Sequence, residues 1–245
     1  MFYCRQNELK ILSKRYDSEK FEFVVVYGRR RIGKTALLNE FCKDKKTIYF
    51  PALQATAAEN LKILSKSIEL CKNPKARVFP EYGSYQDAFE EIENTSKDER
   101  IIFVIDEFPY LAKAENSISS RLQHMIDHNW SETKLFFILC GSSMSFMEKQ
   151  VLGYESPLYG RRTAQIFLSA LHYNEIKIFN PQLSNEETAL VYGITGGVPH
   201  YINRLNISKN IDEALLENFF NASAYLFEEP ANLLKQELRE PATYS

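Results

Sequence analysis

A chain of 245 residues is long enough for one large domain or two small ones, and 44 % hydrophobic residues supply a full core, which excludes wholesale disorder. With 30 Lys and Arg against 32 Asp and Glu the net charge is −2, so no global field recruits nucleic acid or an anionic membrane, and any such contact must be local. No apolar run approaches the roughly 20 residues that span a bilayer, no basic-then-apolar leader opens the chain, and Cys4, Cys42, Cys71 and Cys140 show no paired spacing, so free thiols in a reducing cytoplasm are expected. The N-x-S/T triplets at Asn94, Asn129, Asn206 and Asn221 then read as accidents of sequence.

Short apolar runs alternate with longer amphipathic stretches, the pattern of βαβ units in a three-layer α/β fold with a parallel sheet. The first run, 21–27, leads directly into Gly28-Arg29-Arg30-Arg31-Ile32-Gly33-Lys34-Thr35, and a helix is expected over 35–42, beginning Thr35-Ala36-Leu37. This is the spacing G-x-x-x-x-G-K-[ST] between a strand and a helix. Glycines at both ends let the backbone curl so that successive N–H groups face phosphate oxygens at the positive end of the helix. Lys34 then supplies a charge to the β- and γ-phosphates, and the Thr35 hydroxyl can ligate Mg²⁺. The side chains of Arg29, Arg30 and Arg31 are ambiguous, since those positions contribute backbone N–H groups. The pattern predicts binding of a nucleoside triphosphate.

Further along, a strand at 47–50 and a helix at 57–71 precede an irregular, proline-containing loop at 72–80. A helix at 84–96 opens on Ser84 with Asp87 three residues on, an N-terminal signal. The buried run 101–105 ends in Asp106-Glu107, which places two acids at the carboxyl edge of a parallel sheet, beside the phosphate loop. Asp106 would hold Mg²⁺ through its water shell and Glu107 would orient and deprotonate an attacking water, as in a Walker B element. After a helix at 117–129, the strand 135–140 runs into Gly141-Ser142-Ser143. Ser142 or Ser143, with Ser142 favoured, can sense the γ-phosphate, although Ser143 can equally cap the helix expected at 143–152. A weaker strand, 163–168, follows Arg161-Arg162, either of which can reach a γ-phosphate in its own subunit or a neighbour's. His124 and His128 share a helical face with Asp127 between them, but no further metal ligand presents itself, and Cys140 reads as core rather than as a nucleophile.

Beyond residue 168 the pattern becomes helical, at 173–179, 186–192, 198–204 and 211–220, with one more helix over 230–240 stopped by Pro241. This predicts a small helical subdomain. The chain ends at Tyr244-Ser245 without a terminating feature, which suggests a longer protein. No Asn-Lys-x-Asp element for guanine is present, so ATP or ADP is the expected nucleotide.

The order of Phe2, Arg5, Glu8 and Leu9, GRRRIGKT, Val104-Ile105-Asp106-Glu107-Phe108-Pro109-Tyr110-Leu111, Gly141-Ser142-Ser143-Met144, Pro157-Leu158-Tyr159-Gly160-Arg161 and Gly196-Gly197-Val198-Pro199-His200-Tyr201 resembles the archaeal-type ATPase family, a prokaryotic branch of the STAND P-loop ATPases related to AAA+ proteins. The resemblance implies an ASCE-type sheet over 1–170, a helical lid over 171–228 and a linker helix over 229–245 leading toward a winged-helix or nuclease-like C-terminal region. It also implies that Phe2 and Arg5 lie against the adenine and that the turn at Gly197, Val198 and Pro199 closes over the nucleotide. Expected partners are the nucleotide and an attached domain or protein partner, with DNA reached through that further domain, oligomers possible, and no membrane. Three readings compete: a Mg²⁺-dependent ATPase switch, a DNA-acting loader or remodeller, and a nucleotide-binding interaction module that does not turn over.

Overall fold

The computed structural model describes residues 4–205, 210–229 and 231–232. Five parallel strands form one sheet: β1 (Glu22–Tyr27), β2 (Thr47–Pro51), β3 (Ile101–Asp106), β4 (Leu135–Gly141) and β5 (Ala164–Phe167), in the spatial order β2-β3-β4-β1-β5. Every residue of β1, β3 and β4 is buried, as expected of central strands covered by helices on both faces. The edge strands β2 and β5 are only half-buried.

Alternation along the strands builds two cores. Phe23, Val25, Phe103, Ile105, Phe137 and Leu139 face one way, against α3 (Ala57–Lys72), α4 (Tyr85–Ser96), α5 (Phe108–Ala114) and α6 (Ile118–His128). Val24, Val26, Ile102, Val104, Ile138 and Cys140 face the other, against α1 (Gln6–Tyr16) and α2 (Lys34–Cys42). On the first face Phe23, Phe137 and Phe103 stack ring on ring at 4.9 and 5.3 Å, with Trp130 edge-on to Phe137 at 5.4 Å.

Helix ends follow local chemistry. Thr56 and Glu59 form a reciprocal capping box at α3, and Ser84 accepts the Asp87 N–H at α4. Beyond β5 come α8 (Tyr173–Phe179), α9 (Asn185–Thr195), α10 (Pro199–Arg204) and α11 (Ile211–Leu215), around a third apolar cluster that includes Leu171, Ile176, Val191, Ile202 and Leu215. The helix expected at 186–192 is longer because Ser184 and Glu187 box its start and left-handed Gly196 ends it.

Some expectations need correction. The helix expected over 143–152 is a short α7 (Met144–Phe146) that widens into a π turn over Met147–Val151, and the one expected over 211–220 widens in the same way over Leu216–Phe220. Two helices were not anticipated. In α1 the apolar positions are sparse, with Leu12 its only fully buried side chain, and α5 starts on Phe108-Pro109, where proline suits a first helical turn. Phe2 and nearly all of the helix expected at 230–240 lie outside the described residues.

Candidate nucleotide site

The loop after β1 is held by its glycines. A Cβ on Gly28 would sit 2.3 Å from the Leu168 carbonyl oxygen, so only glycine lets the loop pass the end of β5. Gly33, with φ 91°, caps α2 in the left-handed region. Lys34 is buried, and its ammonium donates to the carbonyls of Gly28 at 3.0 Å and Arg29 at 2.9 Å, which keeps the charge inside the curl of the loop. Burial pushes its pKa down, opposed by the nearby acids Glu107 and Asp106. Thr35 and Ala36 follow in the first turn of α2.

Because β4 lies between β1 and β3, three strand ends converge beside this loop. The Thr35 hydroxyl donates to Asp106 Oδ2 at 3.0 Å. Tyr49 on β2 donates to the same oxygen at 2.7 Å, and the Glu107 N–H reaches Oδ1 at 3.1 Å. Burial, and Asp106 beside it, raise the Tyr49 phenol well above its usual pKa, so it remains a donor. Glu107 takes a left-handed backbone, φ 57°, at the start of α5. Its carboxylate accepts the Ser142 hydroxyl at 2.8 Å and the Ser142 N–H at 3.3 Å. Ser143 precedes α7 without a side-chain capping bond, so of the two serines it is Ser142 that meets the acid. Burial also pushes the Cys140 thiol pKa well up, in keeping with a core residue.

Two cavities open here. One of 440 Å³ is walled by Arg29, Arg30 and Ile32 from the loop, by Phe167, Leu168 and Ser169 at the end of β5, and by Ile194, Val198 and Tyr201 from the helical region. Its size suits a nucleotide. A second, of 270 Å³, is lined by Glu107, Ser142, Tyr110 and Lys113 together with Arg30, which borders both. Thr35 and Asp106 are hard oxygen donors next to the loop, a set that fits Mg²⁺ completed by phosphates and water.

A model of an ATPase domain found predominantly in Archaea matches residues 2–205. The chain belongs to this ATPase-domain family. An uncharacterized protein of Methanocaldococcus jannaschii is 34 % identical over 244 residues, covering 100 % of this chain and 52 % of that protein, so the chain spans about half the length of this curated relative. An uncharacterized ATP-binding protein of the same organism is 41 % identical over 46 residues, 19 % of this chain and 78 % of that protein. Among solved structures, a Walker-type ATPase of Pyrococcus abyssi superposes with a TM-score of 0.70 at 18 % identity, covering 100 % of this chain and 77 % of the other. The ORC2 protein of Aeropyrum pernix, solved as ADPNP and ADP complexes, gives 0.59 at 14 %, covering 87 % and 64 %. A STAND protein of Pyrococcus horikoshii with a tetratricopeptide repeat sensor gives 0.53 at 20 %, covering 98 % and 33 %. These likenesses show the α/β P-loop NTPase fold.

Other residues of this ATPase domain settle around the cavities. Arg5 does not line the larger one; it braces two wall residues from behind, donating to the carbonyls of Ile32 and Ser169. Val198 lines it, and Pro199 starts α10 beside it. Arg30 donates to the Tyr110 hydroxyl at 2.9 Å. Arg31 turns away from the loop and forms an ion pair with Glu229, whose carboxylate also accepts the Tyr201 hydroxyl at 2.8 Å. Arg161 is engaged with Asp127 through two bonds of 2.7 Å, while the Arg162 guanidinium lies 6.0 Å from the Tyr159 ring centroid. Sequence reasoning gave no site role to Tyr49, Tyr110, Tyr201 or Glu229, although Tyr110 and Tyr201 stand in motifs that carry the resemblance. An aromatic in a strand or helix reads as core, and an acid near the C-terminal end reads as solvated surface. Among the described residues no helix is long and apolar enough to cross a membrane.

Proposed function

We propose that this chain is an ATP-hydrolysing module in which nucleotide holds the helical lid against the sheet domain, so that hydrolysis changes how the two halves engage. The observation that carries this reading is the 440 Å³ cavity, walled on one side by the glycine-flanked loop and on the other by Val198 and Tyr201. A nucleotide there would be held by both halves. Loop N–H groups and Lys34 would hold the phosphates, with Thr35 and Asp106 holding a divalent cation. Such a cation supplies charge neutralisation to the β- and γ-phosphates. Glu107, which accepts the Ser142 hydroxyl at the end of β4, would take a proton from water attacking the γ-phosphate. An arginine finger from the Arg161-Arg162 pair would have to serve a neighbouring subunit, because both residues precede β5 at the sheet edge opposite the loop, level with the start of β1, and line neither cavity.

The test is phosphate release from ATP with Mg²⁺, wild type beside Glu107→Gln, with and without duplex DNA. Loss of a general base costs roughly 10²–10⁴ in rate, while the amide oxygen still accepts from Ser142, so ATP binding should persist. Hydrolysis at the wild-type rate by Glu107→Gln would refute the assignment. Stimulation by DNA would make the module a DNA-acting ATPase instead of a self-contained switch. Bound ADP with no turnover in the wild type would make it a locked binding module.

A further inference from the structure

Beside the buried Cys140 thiol, three N–H and O–H groups donate to the Asp106 carboxylate, two of them at the phosphate loop and the start of α5: the Glu107 N–H on Oδ1 and the Thr35 hydroxyl on Oδ2. The third comes from outside. Tyr49 lies on the edge strand β2, paired in register with Val104, two residues before Asp106 and on the same face of the sheet. From there its hydroxyl reaches Oδ2 at 2.7 Å, the shortest of the three contacts. The strand is itself fastened around Asp106: Pro51 is its register partner, the Ala52 N–H donates to its carbonyl at 2.9 Å, and Ser67 on α3 donates to the Tyr49 carbonyl at 2.8 Å. Tyr49 therefore holds one oxygen of the acid from a fixed backbone.

The two hydroxyls on Oδ2 are not equivalent. A cation held between Thr35 and Asp106 would take a lone pair of the Thr35 oxygen, so the place of that hydroxyl is tied to the cation and to the loop even while its proton stays on Oδ2. Tyr49 touches neither the cation nor the loop, and its bond from the β2 backbone holds the carboxylate in one rotamer whether or not the cation is bound. The geometry points to Tyr49 as a positioning residue for the divalent cation: by fixing Oδ2 it presets the side chain of Asp106 and lowers the Mg²⁺ concentration needed for tight nucleotide binding. This rests on the reading of Thr35 and Asp106 as cation ligands. Outer partners that orient a metal ligand are typically worth 10–100-fold in metal affinity. Other donors remain on Asp106 when the phenol is removed, so the effect expected here is about 10-fold, the lower end of that range.

The experiment uses the full chain and a fluorescent ATP analogue, titrated with MgCl₂ and, separately, in EDTA. Tyr49→Phe keeps the ring and its packing. It should raise the Mg²⁺ concentration for half-maximal tightening about 10-fold, leaving the affinity in EDTA and the thermal unfolding midpoint in EDTA close to wild type. An unchanged Mg²⁺ requirement overturns the role, as does an equal loss of affinity in EDTA, which would place the hydroxyl's effect on the loop. Should Tyr49→Phe lower the unfolding midpoint, the Asp106→Asn background decides: if Tyr49 acts through Asp106, adding Tyr49→Phe there shifts the Mg²⁺ requirement no further, whereas an additive shift overturns the proposal. Wild-type binding indifferent to MgCl₂ would instead refute the cation site itself, a result distinguishable from a failure of Tyr49 alone.

Discussion

The contact between Arg31 and Glu229 makes a quantitative prediction about how the loop and the helical region are joined. Arg31 sits within the glycine-flanked loop at φ 68°, a left-handed conformation that an arginine adopts only when its surroundings impose it. Its guanidinium pairs with a Glu229 side chain only 6 % exposed, donates to the Tyr201 hydroxyl at 3.3 Å, and lies 5.8 and 5.5 Å from the ring centroids of Tyr201 and Tyr225. Glu229→Ala leaves that cation without its counter-charge. Breaking a fully buried pair costs about 3–5 kcal/mol. Here the Arg31 side chain is 24 % exposed and keeps two aromatic faces, so about 2 kcal/mol is expected. For a chain of this length that corresponds to a fall of about 4–8 °C in the unfolding midpoint. Thermal unfolding followed by far-ultraviolet circular dichroism should show this drop. A midpoint equal to wild type would refute the pair as a structural joint.

Two further perturbations test the frame around the site. Gly197 has φ 70°, and a Cβ there would lie 2.2 Å from the Leu171 carbonyl, so Gly197→Ala should cost more than about 1 kcal/mol and weaken ATP binding through the adjoining Val198; unchanged binding and stability would show that this turn is free to move. The Cys42 thiol is pushed up by burial to about 11 from its ordinary value of 9.0. The fold prefers the neutral thiol, so its contribution is complete below pH 9 and is lost as pH rises toward 11, roughly 2–3 kcal/mol in all. Denaturant unfolding between pH 8 and 11, wild type beside Cys42→Ala, should show the extra loss in the wild type only.

The central strands were legible because a parallel sheet buried on both faces demands unbroken apolar runs, and 101–105 and 135–140 are such runs. The glycines of the loop were legible because left-handed backbone and close approach leave few alternatives to glycine. Tyr49 was not, since nothing in Thr47-Ile48-Tyr49-Phe50 distinguishes a phenol aimed at a carboxylate from one packed in a core. That distinction depends on register with β3, which pairs 49 with 104 and so sets the hydroxyl beside 106. Glu229 was invisible for a related reason: its partner lies in a loop 198 residues earlier in the chain, and no local pattern announces an ion pair at that separation.

The phosphate-loop arginines show what topology adds to a motif. Each x position of the G-x-x-x-x-G-K-T pattern is needed for its backbone, which leaves its side chain free to differ among chains with the same loop. Here Arg30 borders both cavities and donates to Tyr110 on the helix that begins just after Glu107, whereas Arg31 points to Tyr201 and Glu229 in the helical region. Adjacent residues of one loop thus reach the second cavity, which Glu107 also lines, and the helical region. Any shift of the loop that accompanies phosphate binding or release must move both side chains together, because a single peptide unit joins them. Coupling between the two cavities then needs no long chain of intermediates: the loop that would grip the phosphates is itself the shared element.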